Sequence, residues 1–105
     1  MSNSKPVGVT VIYRVKQGKE ADFTKLIKKH APALKASGLI TPEPVRLMQA
    51  KNVRNEKSIV FIETFQWKDD QASNVAHQTP EIISVWEPMG PLLENLEIFH
   101  VEAVN

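Results

Sequence analysis

Two periodicities alternate along the chain. Val7, Val9, Val11, Tyr13 and Val15 interleave with Gly8, Thr10, Ile12, Arg14 and Lys16, the two-residue repeat of a strand, and the alternation stops at Gln17-Gly18. A helical repeat follows from about Lys19 to Ser37, with Phe23, Leu26, Ile27, Ala31 and Leu34 on its apolar face. Glu20 and Asp22 occupy the first turn, where the helix dipole favours acids, and Gly38 supplies a left-handed stop. Pro32 removes a backbone donor inside this repeat, so a kink or break is expected near His30.

Pro42 and Pro44 then hold an extended loop before a second strand, Val45 to Val53, and Arg54-Asn55-Glu56-Lys57 reads as the turn into a third. With Asn55-Glu56 as the turn residues, position 54 pairs with 57 and Met48 falls opposite Glu63. Arg46 is then diagonal to Glu63 on the same face, within reach of an ion pair. The competing reading leaves Arg46 in solvent at the end of an edge strand. In the third strand Ile59, Phe61, Glu63, Phe65 and Trp67 share one phase and Val60, Ile62 and Thr64 the other, so both faces are largely apolar and both need cover.

Asp69 is placed to cap a short helix with the apolar stripe Ala72, Val75, Ala76 and Thr79, and Thr79-Pro80-Glu81 starts another. Ile82, Val85, Trp86 and Met89 keep helical spacing there until Pro88 and Pro91 end it. The last strand, Leu96 to Ala103, is apolar in both phases, and His100 falls in phase with Leu96 and Ile98. A β-α-β-β-α-β order predicts an α+β, ferredoxin-like fold: a four-stranded antiparallel sheet with both helical segments on one face. The other apolar face is then left bare, which predicts a homodimer that buries it.

At 105 residues the chain is expected to be one domain, 1–105, able to bury roughly two thirds of its unfolded surface. It has no cysteine, which removes disulfides and thiolate metal sites and fits a reducing, cytoplasmic setting. Thirteen basic and twelve acidic side chains give a net charge of +1 without a block of one sign, so nucleic acid is not an expected partner. The start, MSNSKP, has no apolar signal core, and no apolar run approaches the ~20 residues that cross a bilayer, so no membrane association is expected.

The segments VIYRVKQGKEADF, KKHAPALKASGL, FIETFQWKDDQASNVAHQTPE and FHVEAVN together resemble the dimeric α+β barrel superfamily, and within it the antibiotic biosynthesis monooxygenase-like domains. The resemblance covers nearly the whole chain. Its strongest part is the aromatic strand end at Phe65 or Trp67 followed by Ala72, His77 and Pro80. There are departures: Glu81 stands where many catalytic members have a second histidine, and Phe65 stands where many have a glutamate, with Glu63 two residues earlier. The haem-degrading branch uses an asparagine in the first strand and a tryptophan in the helix; here the first strand has no asparagine and helix positions Ser73 to Ala76 have no aromatic, which disfavours haem degradation.

What the resemblance implies is a small cavity between sheet and helices, and oxygenation of a phenolic or quinol-like compound with no cofactor. Such chemistry needs a base to favour the substrate anion and an apolar pocket that excludes water. A histidine, with an ordinary pKa of ~6.5, suits the first role. His77 is the catalytic candidate on motif grounds, and its rival reading is a helix-packing or capping residue.

Each candidate for the substrate-binding lining has a plainer role beside it. His30 lies on the inner side of the first helix, where a histidine satisfied by a carbonyl is the commoner case. His100 points to an interior, either the cavity or the dimer interface. Tyr13 could offer its hydroxyl to a ligand or sit half buried, and Phe65, Trp67 and Trp86 serve equally as core or interface anchors. Glu63 is the least ordinary residue, because a buried carboxylate needs a partner or a raised pKa. No metal site is expected, since the three histidines and Glu63 lack ligand spacing, and no phosphate loop joins strand to helix. Two functions remain: a cofactor-independent monooxygenase or related small-molecule enzyme, and a non-catalytic dimeric module that binds a ligand or a protein.

Overall fold

In the computed structural model residues 5–104 are described, apart from the side chains of residues 56–58; the MSNS of the amino-terminal segment lies outside the described residues. The elements run β1 (Val7–Val15), α1 (Glu20–Ile27), α2 (His30–Ser37), β2 (Arg46–Asn52), β3 (Asn55–Trp67), α3 (Ala72–Ala76), α4 (Pro80–Met89), a 3-10 turn at Gly90–Leu92 and β4 (Leu93–Val101). The strands form one antiparallel sheet in the order β2-β3-β1-β4, a ferredoxin-like α+β arrangement. Among the described residues no helix is long and apolar enough to cross a membrane.

The break expected near His30 is present, because α1 ends at Ile27 and α2 begins at His30. Its cause is local. The ring of Pro32 would strike the carbonyl four residues back, that of Lys28, in a continuous helix. Restarting at His30 places Pro32 in the first turn, where a missing N–H has no intrahelical acceptor to lose. Gly38 closes α2 with φ 72°, the left-handed stop that its lack of a Cβ permits.

Val9, Val11, Tyr13 and Val15 of β1 and Phe61, Phe65 and Trp67 of β3 are buried under the helices, which contribute Phe23, Ile27, Leu34, Ala72, Ala76 and Ile82. Phe23 bridges the layers, with its ring 5.1 Å from Tyr13 and 5.0 Å from Phe61. The opposite phase, which includes Ile12, Val60 and Ile62, carries no helix and is half-buried, while Met48, Phe99 and Val101 on that face are exposed.

The β2–β3 register differs from the one read in the sequence. Asn52 pairs with Asn55, so the two turn residues are Val53 and Arg54, and a bulge at Lys51/Asn52 brings Leu47 opposite Glu63 and Met48 opposite Ile62. The turn is held by the Arg54 N–H donating to Oδ1 of Asn52 at 2.8 Å. One residue of slip turns a strand over. Arg46 therefore pairs with Thr64 on the helix-free side, exposed, and cannot meet Glu63 across the sheet.

Three smaller expectations also shift. β4 begins at Leu93 and ends at Val101, two residues before Ala103. Asp69 accepts from the Gln71 N–H at 2.9 Å but lies three residues ahead of Ala72, where α3 starts, so it is not its N-cap. Val75, placed in the apolar stripe of that helix, is exposed.

Candidate active site

A cavity of about 270 Å³ lies between the sheet and helices α3 and α4. Its floor is Val9, Val11 and Tyr13 of β1 with Phe65 and Trp67 of β3; His30, Ser73, Trp86 and Met89 come from the helices, His77 from the turn after α3, and Leu96, Ile98 and His100 from β4. Seven of the eight residues singled out in the sequence, namely Tyr13, His30, Phe65, Trp67, His77, Trp86 and His100, meet in this one space. The walls are aromatic and aliphatic. Phe65 and Trp67 lie edge to face, with centroids 4.8 Å apart. The β4 side is open, since Leu96 and Ile98 are 44% and 60% exposed.

Glu63 is the eighth, and it stands behind the wall. Fully buried at 1% exposure, it accepts a hydrogen bond from the Tyr13 hydroxyl at 2.7 Å, and Nδ1 of His30 lies 2.9 Å from both of its oxygens. These are the partners that its burial demands. Burial first, then the charge of Glu63 and the hydrogen bond to it, push the Tyr13 hydroxyl far above its ordinary titration range.

His30 is bonded at both nitrogens. The Trp86 indole N–H donates to its Nε2 at 2.9 Å. An indole can only donate, so Nε2 carries the lone pair and Nδ1 the proton that Glu63 accepts. His30 is therefore neutral, and its contact with Glu63 is a charge-assisted hydrogen bond rather than an ion pair, although the distance would suit either. The Tyr13 hydroxyl is likewise spent on Glu63 and does not turn to the cavity as a free donor.

His77 differs. It follows α3, where its Nδ1 donates to the carbonyl of Ser73 at 2.7 Å, four residues back. The ring packs on Trp86 with centroids 4.9 Å apart and is exposed at the cavity rim. With Nδ1–H committed, Nε2 is the acceptor. Ser73 was missed in the sequence, although its position one helical turn before His77 was a usable sign. Met89, Leu96 and Ile98 were read only as apolar phase, and nothing in their pattern distinguishes cavity wall from core. Among the described residues no cluster of three histidine, aspartate or glutamate side chains could hold a metal ion.

No family profile matches the chain, and no curated protein sequence matches it. Solved structures do share its fold. A protein from Caulobacter crescentus, provisionally assigned as an antibiotic biosynthesis monooxygenase, is similar at 21% identity and a TM-score of 0.69, over 97% of this chain and 92% of the other. A structure described as an antibiotic biosynthesis monooxygenase is similar at 11% identity and a TM-score of 0.71, over 94% and 99%. A dimeric protein of unknown function with a ferredoxin-like fold, from Bacteroides fragilis, is similar at 9% identity and a TM-score of 0.73, over 93% and 96%. The chain has the fold of antibiotic biosynthesis monooxygenase-like structures, as the resemblance in its sequence implied.

Proposed function

We propose that the whole chain is a single cofactor-independent monooxygenase domain, acting on a small phenolic or quinol-like aromatic compound as a cytoplasmic homodimer. The observation that carries this reading is His77: an imidazole with one nitrogen tied to Ser73 and the other left as an acceptor, at the rim of an aromatic cavity. A cavity of about 270 Å³ suits a compound of one or two rings. Nε2 takes the phenolic proton, and the electron-rich anion reduces dioxygen. For a simple phenol, one oxygen atom enters the ring to give a quinone and the other leaves as water.

The dimer rests on uncovered apolar surface. Met48, Phe99 and Val101 are exposed on the helix-free face, and β4 bares Leu96 and Ile98 on the cavity side as well. A second copy covers the first face, and a neighbour of like fold is described as dimeric. Light scattering at micromolar concentration is expected to return twice 11.8 kDa, and a monomer would remove the argument.

Oxygen uptake across a panel of quinols and polyphenols tests the activity. Enzyme-dependent consumption with at least one of them is expected. Tight binding of panel compounds without uptake would turn the reading to a non-catalytic binding module. The binding module has an observation in its favour, since both nitrogens of His30 and the Tyr13 hydroxyl are engaged within the protein.

A further inference from the structure

Trp86 stands between the buried carboxylate system and the cavity. Its N–H occupies Nε2 of His30 at 2.9 Å, its ring is only half-buried, and its ring lines the cavity beside His77. Behind His30, Nδ1 faces the two oxygens of Glu63 at 2.9 Å, and the imidazole and carboxylate are 2% and 1% exposed. A neutral imidazole backed by a carboxylate is the arrangement that holds a proton acceptor in one tautomer and stabilises the imidazolium formed when it accepts. Here the accepting nitrogen is covered by an indole.

We propose that Trp86 is a displaceable cap on His30, and that a phenolic hydroxyl entering the cavity replaces the indole N–H at Nε2, making His30 a second proton acceptor with Glu63 as its positioning residue. The exchange conserves the hydrogen bond on Nε2, because one N–H donor gives way to one O–H donor. A ligand without a hydrogen-bond donor cannot make it. Displacement is eased by the position of Trp86 in the last turns of α4, where Pro88 leaves the Ser84 carbonyl without its helical donor. In the proton transfer the ligand O–H bond breaks, an N–H bond forms at Nε2, and the electron pair stays on the phenolate oxygen. The imidazolium then holds Glu63 through Nδ1–H, and no electrons change hands. This inference rests on the reading of the cavity as a phenol site, and it adds displacement of the Trp86 N–H from His30, which the His77 reading does not require.

The test uses the whole protein and two probes of one shape, 2-naphthol and 2-methoxynaphthalene, followed by the indole N–H resonances in nitrogen-15 NMR spectra. Only Trp67 and Trp86 contribute, so the assignment is simple. Naphthol is expected to move the Trp86 resonance away from its hydrogen-bonded position and the ether is not, with naphthol binding about tenfold tighter. The His30 ring nitrogens should shift toward the imidazolium pattern with naphthol, and Glu63→Gln should suppress that shift while both probes still bind. His30→Gln, which keeps a donor and an acceptor, should erase the preference for naphthol. If both probes bind and the Trp86 resonance stays in place, the cap is fixed and the proposal fails while the cavity reading survives. If neither binds, both fail.

Discussion

His30 and His77 pack against the same indole, with ring centroids 6.1 and 4.9 Å from Trp86, yet they are chemically unlike. His30 is buried and bonded at both nitrogens, to a carboxylate on one side and an N–H on the other. His77 is exposed and bonded at one, to a backbone carbonyl. The difference teaches that the number of histidines in a cavity says little about its chemistry. What counts is which ring nitrogen is left without a partner, and that is set by depth and by the neighbouring donors.

The buried side of this contrast is the more costly to disturb. Glu63→Ala removes the acceptor for the Tyr13 hydroxyl and the His30 Nδ1–H at once, and a loss of about 3–5 kcal/mol is expected in chemical denaturation. A loss below ~1 kcal/mol would mean that the network does not hold the core. On the exposed side the balance reverses. His77→Ala is expected to lower turnover ~100-fold, a barrier increase of about 2.7 kcal/mol, while stability changes by less than ~1 kcal/mol. Equal losses of activity and stability would erase the distinction between the two rings.

Tyr13 sharpens the buried half, since it is the only tyrosine and its phenolate absorbance has a single source. Its folded-state titration is raised above the ordinary value of 10.0, so the unfolded chain gives up this proton first as pH rises. The stabilising contribution is complete below pH 10 and falls away above it. Phenolate absorbance is therefore expected to appear only together with alkaline unfolding, and a separate earlier titration would contradict the buried hydrogen bond. Tyr13→Phe should cost about 1.5–3 kcal/mol at neutral pH and remove that coupling. The smallest effect belongs to Arg46, exposed on the far side of the sheet from Glu63. Arg46→Ala is expected to change stability by less than ~0.5 kcal/mol, and a loss like that of Tyr13→Phe would restore the ion pair that the register forbids.

The sequence by itself determined those features whose cause lies within a few residues. Alternation in β1 and β3, the break ahead of Pro32, the stop at Gly38 and the start at Pro80 are all consequences of local sterics and periodicity, and they sufficed to predict the sheet and its one-sided helical cover. The gathering of Tyr13, His30, His77 and Trp86 at one cavity followed from that topology together with the family resemblance. The partners of Glu63 did not. They come from β1 and α2, 50 and 33 residues away, and Trp86 reaches His30 across 56. No local rule decides such pairings. The register between β2 and β3 belongs with them, because Val53-Arg54 and Asn55-Glu56 are rival turns two residues apart, and only the packed sheet, with its bulge at Lys51/Asn52, sets the strands one residue from the expected pairing. Which nitrogen of which histidine is left to react is thus a property of the tertiary structure, since it depends on donors that meet only when the layers close.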